Sequence, residues 1–380
     1  YAVYQRYRSN QREGLLPGRE SKRAHRSGRE ILSADYFYDL QLFDESGAKQ
    51  MKKFINHVDD VLTESLNGFG LSHGDILKIH LNPNFITRAD KSKKGKVSLI
   101  SGGGSGHEPL HGGFVGYGML DAACPGQIFT SPTPDQMISA SEAVDNGGGI
   151  LFIVKNYSGD LMNFEMASEM LGIENMTVLV NDDVAVEDSS FTTGRRGVAG
   201  TMIVEKIVGS AAEAGASLVE CKELGDHTNK MTASMGVAFT SCTVPAAGKP
   251  TFEIAHDEME IGVGIHGEPG RKREKTKSAD EIARDLIGAK LEDLKPDDNA
   301  EVLLHVNGFG GTPLMELYLL FNSAAKELEK NNVSIGRSLV GNYTTSLEMA
   351  GASITICKLD DKIVQHWDSP VHTAALRWGM

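Results

Sequence analysis

A chain of 380 residues is too long for one ordinary core and predicts two domains of average size. With 51 acidic against 38 basic residues, its net charge of −13 argues against a nucleic-acid surface, which needs clustered Lys and Arg, and suits a small substrate. No apolar run approaches the ~20 residues that span a bilayer, and the four cysteines are scattered without a C-x-x-C pair. Buried free thiols in a reducing compartment, the cytoplasm, are therefore expected, with neither a disulfide framework nor a metal site.

Residues 1–30 hold eight Arg or Lys against three Glu and show no helical or strand period. The stretch 1–50 reads as a non-native or disordered extension, with the native protein beginning at Met51. A mitochondrial-type targeting segment is the rival, opposed by the acidic cluster at 35–45. From Met51, MKKFINHVDDVLTESLNGF carries Phe54, Val58, Val61, Leu62 and Leu66 at helical spacing.

From residue 96, short apolar runs alternate with helical patterns, as in an α/β architecture. KVSLIS (96–101) predicts a strand running into a glycine turn, GILFIVKN (149–156) a strand before the helical GDLMNFEMASEML (159–171), and MTVLVNDD (176–183) another strand. GTMIVEKIVGSAAEAG (200–215) predicts a helix closed by Gly215 in a left-handed cap. These belong to one mostly parallel sheet.

A second group opens near residue 234 with SMGVAFTSC and continues through EMEIGVGIH (258–266). The basic run at 271–277 reads as a solvated loop entering a helix, because Ser278 and Glu281 form a capping box. EVLLHVNGF (301–309), a long helix from Thr312 to Lys330, RSLVGNY (337–343) and ASITICKLD (352–360) complete the group. The expected fold is thus two α/β domains, 51–233 and 234–380, with mostly parallel or mixed sheets flanked by helices.

Three stretches carry chemistry. SGGGSGHEP (101–109) follows a predicted strand, and glycine runs let a backbone approach a ligand closely. It is not a Walker A motif, since the Lys-Ser/Thr pair is missing, so a nucleotide is not the obvious occupant. His107 ends the run, two residues before a proline that disfavours helix immediately ahead of it, and is expected on a loop beyond a strand end. In KNYSGD, Lys155 and Asp160 leave the same kind of strand end, although a carboxylate at a helix N-terminus can be merely a cap. His266, in GVGIHGEPG (262–270), has small neighbours that leave an imidazole edge open, and a neutral imidazole can add to a carbonyl carbon. Taken singly, a histidine in a turn has an equally good structural explanation.

Together with ACPGQIFTSPTPDQ (123–136), DDVAVEDS (182–189), GRRGVAGT (194–201), CTVPAAGKP (242–250) and WDSPVHTAALRWG (367–379), these stretches give residues 51–380 a resemblance to the dihydroxyacetone-binding subunits of the dihydroxyacetone kinases. The resemblance implies a homodimeric two-domain α/β subunit. It implies that His266 bonds covalently to the ketone carbon as a hemiaminal, and that His107 and Asp160 are the other catalytic residues. It places Gly104, Ser105, Gly106, His107, Lys155 and Asp160 along the substrate.

In that family the subunit itself binds no cofactor; ADP or ATP with Mg sits on a nucleotide-carrying partner subunit or fused domain. With few residues after RWG, this chain is expected to need such a partner and to be inactive alone. Its stand-alone length favours a phosphoenolpyruvate-fed relay through a phosphocarrier over direct use of ATP. The rival reading is a non-catalytic paralogue that senses dihydroxyacetone and controls transcription.

Overall fold

Aliphatic runs bounded by glycine and polar turns build two six-stranded sheets. The computed structural model describes residues 52–90, 92–185, 194–268 and 270–380. The N-terminal stretch 1–50 and part of DDVAVEDS lie outside the described residues.

In chain order, helix α1 (Val61–Ser72) leads to strands β1 (Leu77–His80), β2 (Phe85–Arg88), β3 (Ser98–Ser105), β4 (Gly116–Tyr117) and β5 (Ala122–Ile128). Then follow α2 (Pro134–Val144), β6 (Ile150–Lys155), α3 (Ser158–Met170), β7 (Asn175–Val180), α4 (Gly200–Glu213) and α5 (Leu218–Lys230). The first sheet has the order β1-β2-β5-β3-β6-β7. Strands β5, β3, β6 and β7 are parallel, and the β1–β2 hairpin extends the sheet through an antiparallel β2–β5 pair.

Such a parallel sheet is buried on both faces, which is why β6 is apolar at every position before Lys155. Leu151 and Ile153 join a core with Met202, Ile203 and Ile207 of α4, while Phe152 and Val154 pack with Met137 of α2 and Phe164 of α3. The period of two thus sends Lys155, in step with Leu151 and Ile153, toward the α4 side. Gly215 follows α4 with φ +92, as the left-handed cap requires.

The second sheet uses β8 (Thr232–Ala238), β9 (Glu258–Ile261), β10 (Lys272–Lys275), β11 (Glu301–Gly308), β12 (Ser334–Gly341) and β13 (Gly351–Lys358) in the order β10-β9-β8-β13-β11-β12. Only β11 and β12 are parallel neighbours; the sheet is otherwise antiparallel. Helices α6 (Ala279–Leu294) and α7 (Leu314–Lys330) cover it, with Leu286, Ile287 and Leu317 against Leu304, Val306 and Ile354. The chain then returns through α8 (Asp361–Asp368), β14 (Val371–Thr373) and β15 (Arg377–Trp378), and β14 pairs with β4 in a small third sheet. Trp367, Val371 and Leu376 thereby join the core that holds α1 and α4.

Three local expectations are corrected. The first helix starts at Val61, after a single 3-10 turn, and Phe54 is fully exposed. Asn56 donates to the Glu64 carboxylate and the His57 ring accepts from the Asp59 amide, so side chains satisfy the entry where a longer helix would otherwise run. The basic run 271–277 contains an edge strand, β10, paired with β9; a row of exposed charges protects such an edge from pairing with another chain. The glycine run is no turn: β3 passes straight through Gly102–Gly104.

The capping box of α6 is present, with the Ser278 amide donating to Glu281 Oε2 at 3.0 Å. All four cysteines are free and buried. No helix among the described residues is long and apolar enough to cross a membrane.

Candidate active site

Strands β3 and β6 are parallel neighbours, so the glycine run and the Lys155–Asp160 segment leave the sheet at the same edge. The glycines answer crowding there. A Cβ on Gly103 would lie 2.2 Å from Lys155 Nζ, and one on Gly104 2.6 Å from the Thr130 amide nitrogen. Gly102–Gly104 pair residue for residue with Cys124–Gly126 of β5, which makes this stretch a ladder and not a phosphate nest.

Beyond the strand the backbone is fastened to its surroundings. The Phe129 amide donates to Ser105 O at 2.9 Å, the Leu347 amide to Gly106 O at 2.8 Å, and the Thr345 amide to His107 O at 3.2 Å. The loop that connects β12 to β13 therefore clamps the glycine loop. His266 arrives from the other side, on a turn after β9 in which Gly262 and Gly267 take φ +78 and +74.

The result is a cluster of four rings. His266 meets His107 edge-on with centroids 4.6 Å apart, Tyr157 at 4.6 Å and Phe129 at 5.3 Å, and Phe129 stacks on His107 at 5.0 Å. Three of them, Phe129, Tyr157 and His266, line a cleft of about 560 Å³ together with Gly104, Asp160 and Asn163, among others, and His107 is buried behind them.

Hydrogen bonds fix which nitrogen carries each proton. His266 Nδ1 lies 3.0 Å from Glu268 Oε1, and the His266 amide donates to Oε2 of the same carboxylate at 3.0 Å. Burial pushes the Glu268 carboxyl up, but the His266 ring and the Arg196 guanidinium outweigh it and hold it at about 2. An ionised carboxylate only accepts, so the proton of neutral His266 is on Nδ1 and Nε2 is bare. The side chain is 17% exposed, enough for a ligand to reach that edge.

His107 has the same tautomer for a different reason: its Nδ1–H donates to the Thr345 carbonyl at 2.8 Å. Its Nε2 is buried without a hydrogen-bond partner. Burial, helped by His266 and Lys155, holds the His107 ring well below the usual imidazole range, so it is neutral at pH 7. Asp160 sits in the first turn of α3, with Oδ2 3.5 Å from Lys155 Nζ and Oδ1 buried without a hydrogen-bond partner.

Asp160, His266 and Gly104 thus meet at one cleft, with His107 buried behind the rings of His266 and Phe129 and Lys155 directly behind Asp160. Ser105 and Gly106 are placed differently. Ser105 Oγ donates to Gly126 O at 2.7 Å, and the residue lines a separate cavity of about 670 Å³. Gly106 has φ +105 and donates its amide to the Glu108 carboxylate. Tyr157, Phe129, Glu268 and Thr345 were not singled out from sequence. Glu268 had a signal, an acid two residues after His266 in the same glycine turn; the carbonyl of Thr345 had none. No group of three metal-binding side chains occurs among the described residues.

A model of the Dak1 domain matches residues 67–375. The PEP-dependent dihydroxyacetone kinase, dihydroxyacetone-binding subunit DhaK, of Escherichia coli (strain K12) is 48% identical over 358 residues, covering 87% of this chain and 100% of that protein. Among solved structures, the dihydroxyacetone kinase operon co-activator Dha-DhaQ superposes with a TM-score of 0.78 at 34% identity, covering 84% of this chain and 98% of its own. The dihydroxyacetone kinase of C. freundii in complex with AMP-PNP and Mg2+ superposes at 0.78 with 31% identity, over 86% of this chain and 61% of that longer one. The chain belongs to the Dak1 family, that of the dihydroxyacetone kinases.

Proposed function

We propose that this chain is the dihydroxyacetone-binding subunit of a dihydroxyacetone kinase, capturing the ketone on His266 and presenting it to a nucleotide-carrying partner. The observation that carries the reading is the bare Nε2 of His266 at a cleft it shares with Asp160, with an ionised carboxylate behind the same ring. In the capture step the Nε2 lone pair bonds to the carbonyl carbon. The π pair moves to oxygen, which takes up a proton from solvent. The ring becomes cationic, and Glu268 balances that charge.

A covalent bond answers a physical difficulty. Even the best tiny ligands gain at most ~1.5 kcal/mol per non-hydrogen atom from non-covalent contacts, and a triose is strongly hydrated. Adduct formation raises affinity and rejects glycerol, which has the hydroxyls but no electrophilic carbon.

Phosphoryl transfer then needs a base for a terminal hydroxyl. Asp160, with Oδ1 uncommitted, fills that role, and His107 Nε2 accepts a second hydroxyl hydrogen bond. The cleft is larger than a triose needs, which leaves an approach for the donor. The residues of this chain place the acceptor; ADP or ATP with Mg belongs to the partner, and positioning supplies much of the rate. We favour phosphoenolpyruvate, relayed through a phosphocarrier, as the ultimate source, with ATP as the alternative, and a cytoplasmic homodimer as the working assembly.

Mass spectrometry of protein trapped with dihydroxyacetone tests the capture. The wild type should gain one adduct and His266→Ala none; labelling that persists elsewhere refutes the assignment. Asp160→Asn should retain the adduct and lose turnover with the partner by about 10²-fold or more. The likeness to a co-activator at 34% identity favours one second reading, a sensor that binds the ketone without turning it over. Reconstitution with a nucleotide-binding subunit separates them: adduct without product would make this chain a sensor.

A further inference from the structure

Behind the cleft lies a buried polar chain that the proposed chemistry does not use. Lys155 Nζ, on a side chain 1% exposed, donates to Gly102 O at 3.1 Å and to His111 Nε2 at 2.9 Å, and lies 3.5 Å from Asp160 Oδ2. An ammonium has three donors and no acceptor, so these three directions account for it. His111 must then present a lone pair at Nε2 and carry its single proton on Nδ1.

Two acceptors meet that proton. Glu205 Oε1 is 2.6 Å from His111 Nδ1, and Ser101 Oγ is 3.0 Å away. The hydroxyl hydrogen of Ser101 is given to Ile153 O at 2.7 Å, so its oxygen is free to accept. The chain runs from α4 on one face of the first sheet, over the ends of β3 and β6, to α3 on the other.

Glu205 is expensive where it stands. It is fully buried in a helix whose buried positions are mostly apolar, Met202, Ile203, Val204, Ile207 and Val208 among them, and a carboxyl there costs stability unless it is paired or neutral. Burial pushes it up to about 8 against the pull of Lys155, so its contact to Nδ1–H is made largely by the protonated acid. A hydrophobic residue would serve the core better.

We propose that His111 and Glu205 are positioning residues for phosphoryl transfer, holding Lys155 Nζ against one oxygen of Asp160 so that the other stays free in the cleft. The proposal rests on Asp160 acting as the base. Glu205, the nearer acceptor of the Nδ1 proton, holds the His111 ring in place, His111 supplies the third acceptor of Lys155, and Lys155 orients the carboxylate. Without His111 the ammonium turns to Asp160 for its missing hydrogen bond and competes with the substrate hydroxyl.

The test measures adduct formation and turnover separately in folded protein, with the nucleotide-binding partner supplied. His111→Phe and Glu205→Leu should form the adduct with an apparent dissociation constant within about twofold of wild type. Their turnover at saturating ketone should fall about tenfold to a hundredfold. Glu205→Gln, which keeps an acceptor for Nδ1–H and resembles the protonated acid, should restore turnover to within about threefold.

Wild-type turnover in either of the first two variants overturns the proposal. So does a parallel loss of adduct and turnover, which would make the chain a mere support of the cleft. If His111→Phe does not fold, the Leu/Gln contrast at Glu205 decides alone. Failure of the underlying reading looks different: wild-type protein would then show no adduct at all, or Asp160→Asn would keep full turnover.

Discussion

Replacing Glu268 by Gln keeps the size of the side chain but removes its charge and one of its two acceptors. In the native turn both carboxylate oxygens are used, Oε1 by His266 Nδ1 and Oε2 by the His266 amide, each at 3.0 Å. A glutamine offers one oxygen and one NH2 group, so one of those donors must face another donor. The remaining bond is weakened as well, because the cationic ring of the adduct no longer meets an anion. Hydrogen bonds to charged groups contribute about 1.5–3 kcal/mol against about 0.5–1.5 kcal/mol for neutral ones. A net loss of about 2 kcal/mol from the adduct follows, which is an approximately 30-fold rise in the apparent dissociation constant for dihydroxyacetone. Calorimetric titration of the ketone into wild type and Glu268→Gln measures it, with His266→Ala as the variant that forms no adduct. Unchanged or tighter binding in Glu268→Gln would refute the charge-balance argument.

Two further outcomes follow from packing and titration. Gly264→Ala places a Cβ 2.0 Å from Glu268 Oε2 and 2.6 Å from Arg196 Nη1, both buried, so Glu268 must leave His266 or the turn must shift; adduct yield should collapse and stability fall by about 1–3 kcal/mol, read by mass spectrometry and denaturant unfolding. Glu205 is held up at about 8, so the stability it contributes is fully present below its ordinary carboxylate range and is lost as pH rises through 8. Glu205→Gln has no such loss, so its melting temperature should gain on wild type between pH 5 and pH 9; a gap constant across that range would mean that Glu205 does not titrate there.

Three strands of the first sheet, β3, β6 and β7, were legible because a parallel strand buried on both faces is apolar through most of its length, as Ile150–Val154 is, whereas β1, β2 and β5, with charged, polar or glycine and proline positions, were not. The sequence misjudged the glycine run because glycine signals both turns and crowding. Only the fold shows that the space beside Gly103 is taken by Lys155 Nζ. The basic segment at 271–277 failed for a similar reason, since exposed charges suit a loop and an edge strand equally. At the site, His107 and His266 were legible as residue types on loops after strands, and Asp160 as a carboxylate in the first turn of a helix. Their partners were harder to find: Thr345 acts through a backbone carbonyl, which no side-chain pattern encodes, and Tyr157 and Phe129 matter only because the fold stacks them against imidazoles.

The two histidines carry the same tautomer, with Nδ1–H donated away and Nε2 bare, yet their environments divide the work between them. His266 gives its proton to a carboxylate held at about 2, on a turn that leaves its ring 17% exposed. A positive charge that develops on this ring is met by an anion already in place. His107 gives its proton to a neutral carbonyl, is 1% exposed, and stands beside Lys155 and His266, which both oppose any further charge on it. Addition to a ketone turns an imidazole into a cation, so under the proposed mechanism the bond must form at His266, where that cation is compensated. His107 then serves as an acceptor that stays neutral while the adduct forms. Exchanging the two backing groups, a carbonyl behind His266 and a carboxylate behind His107, would be expected to exchange these roles.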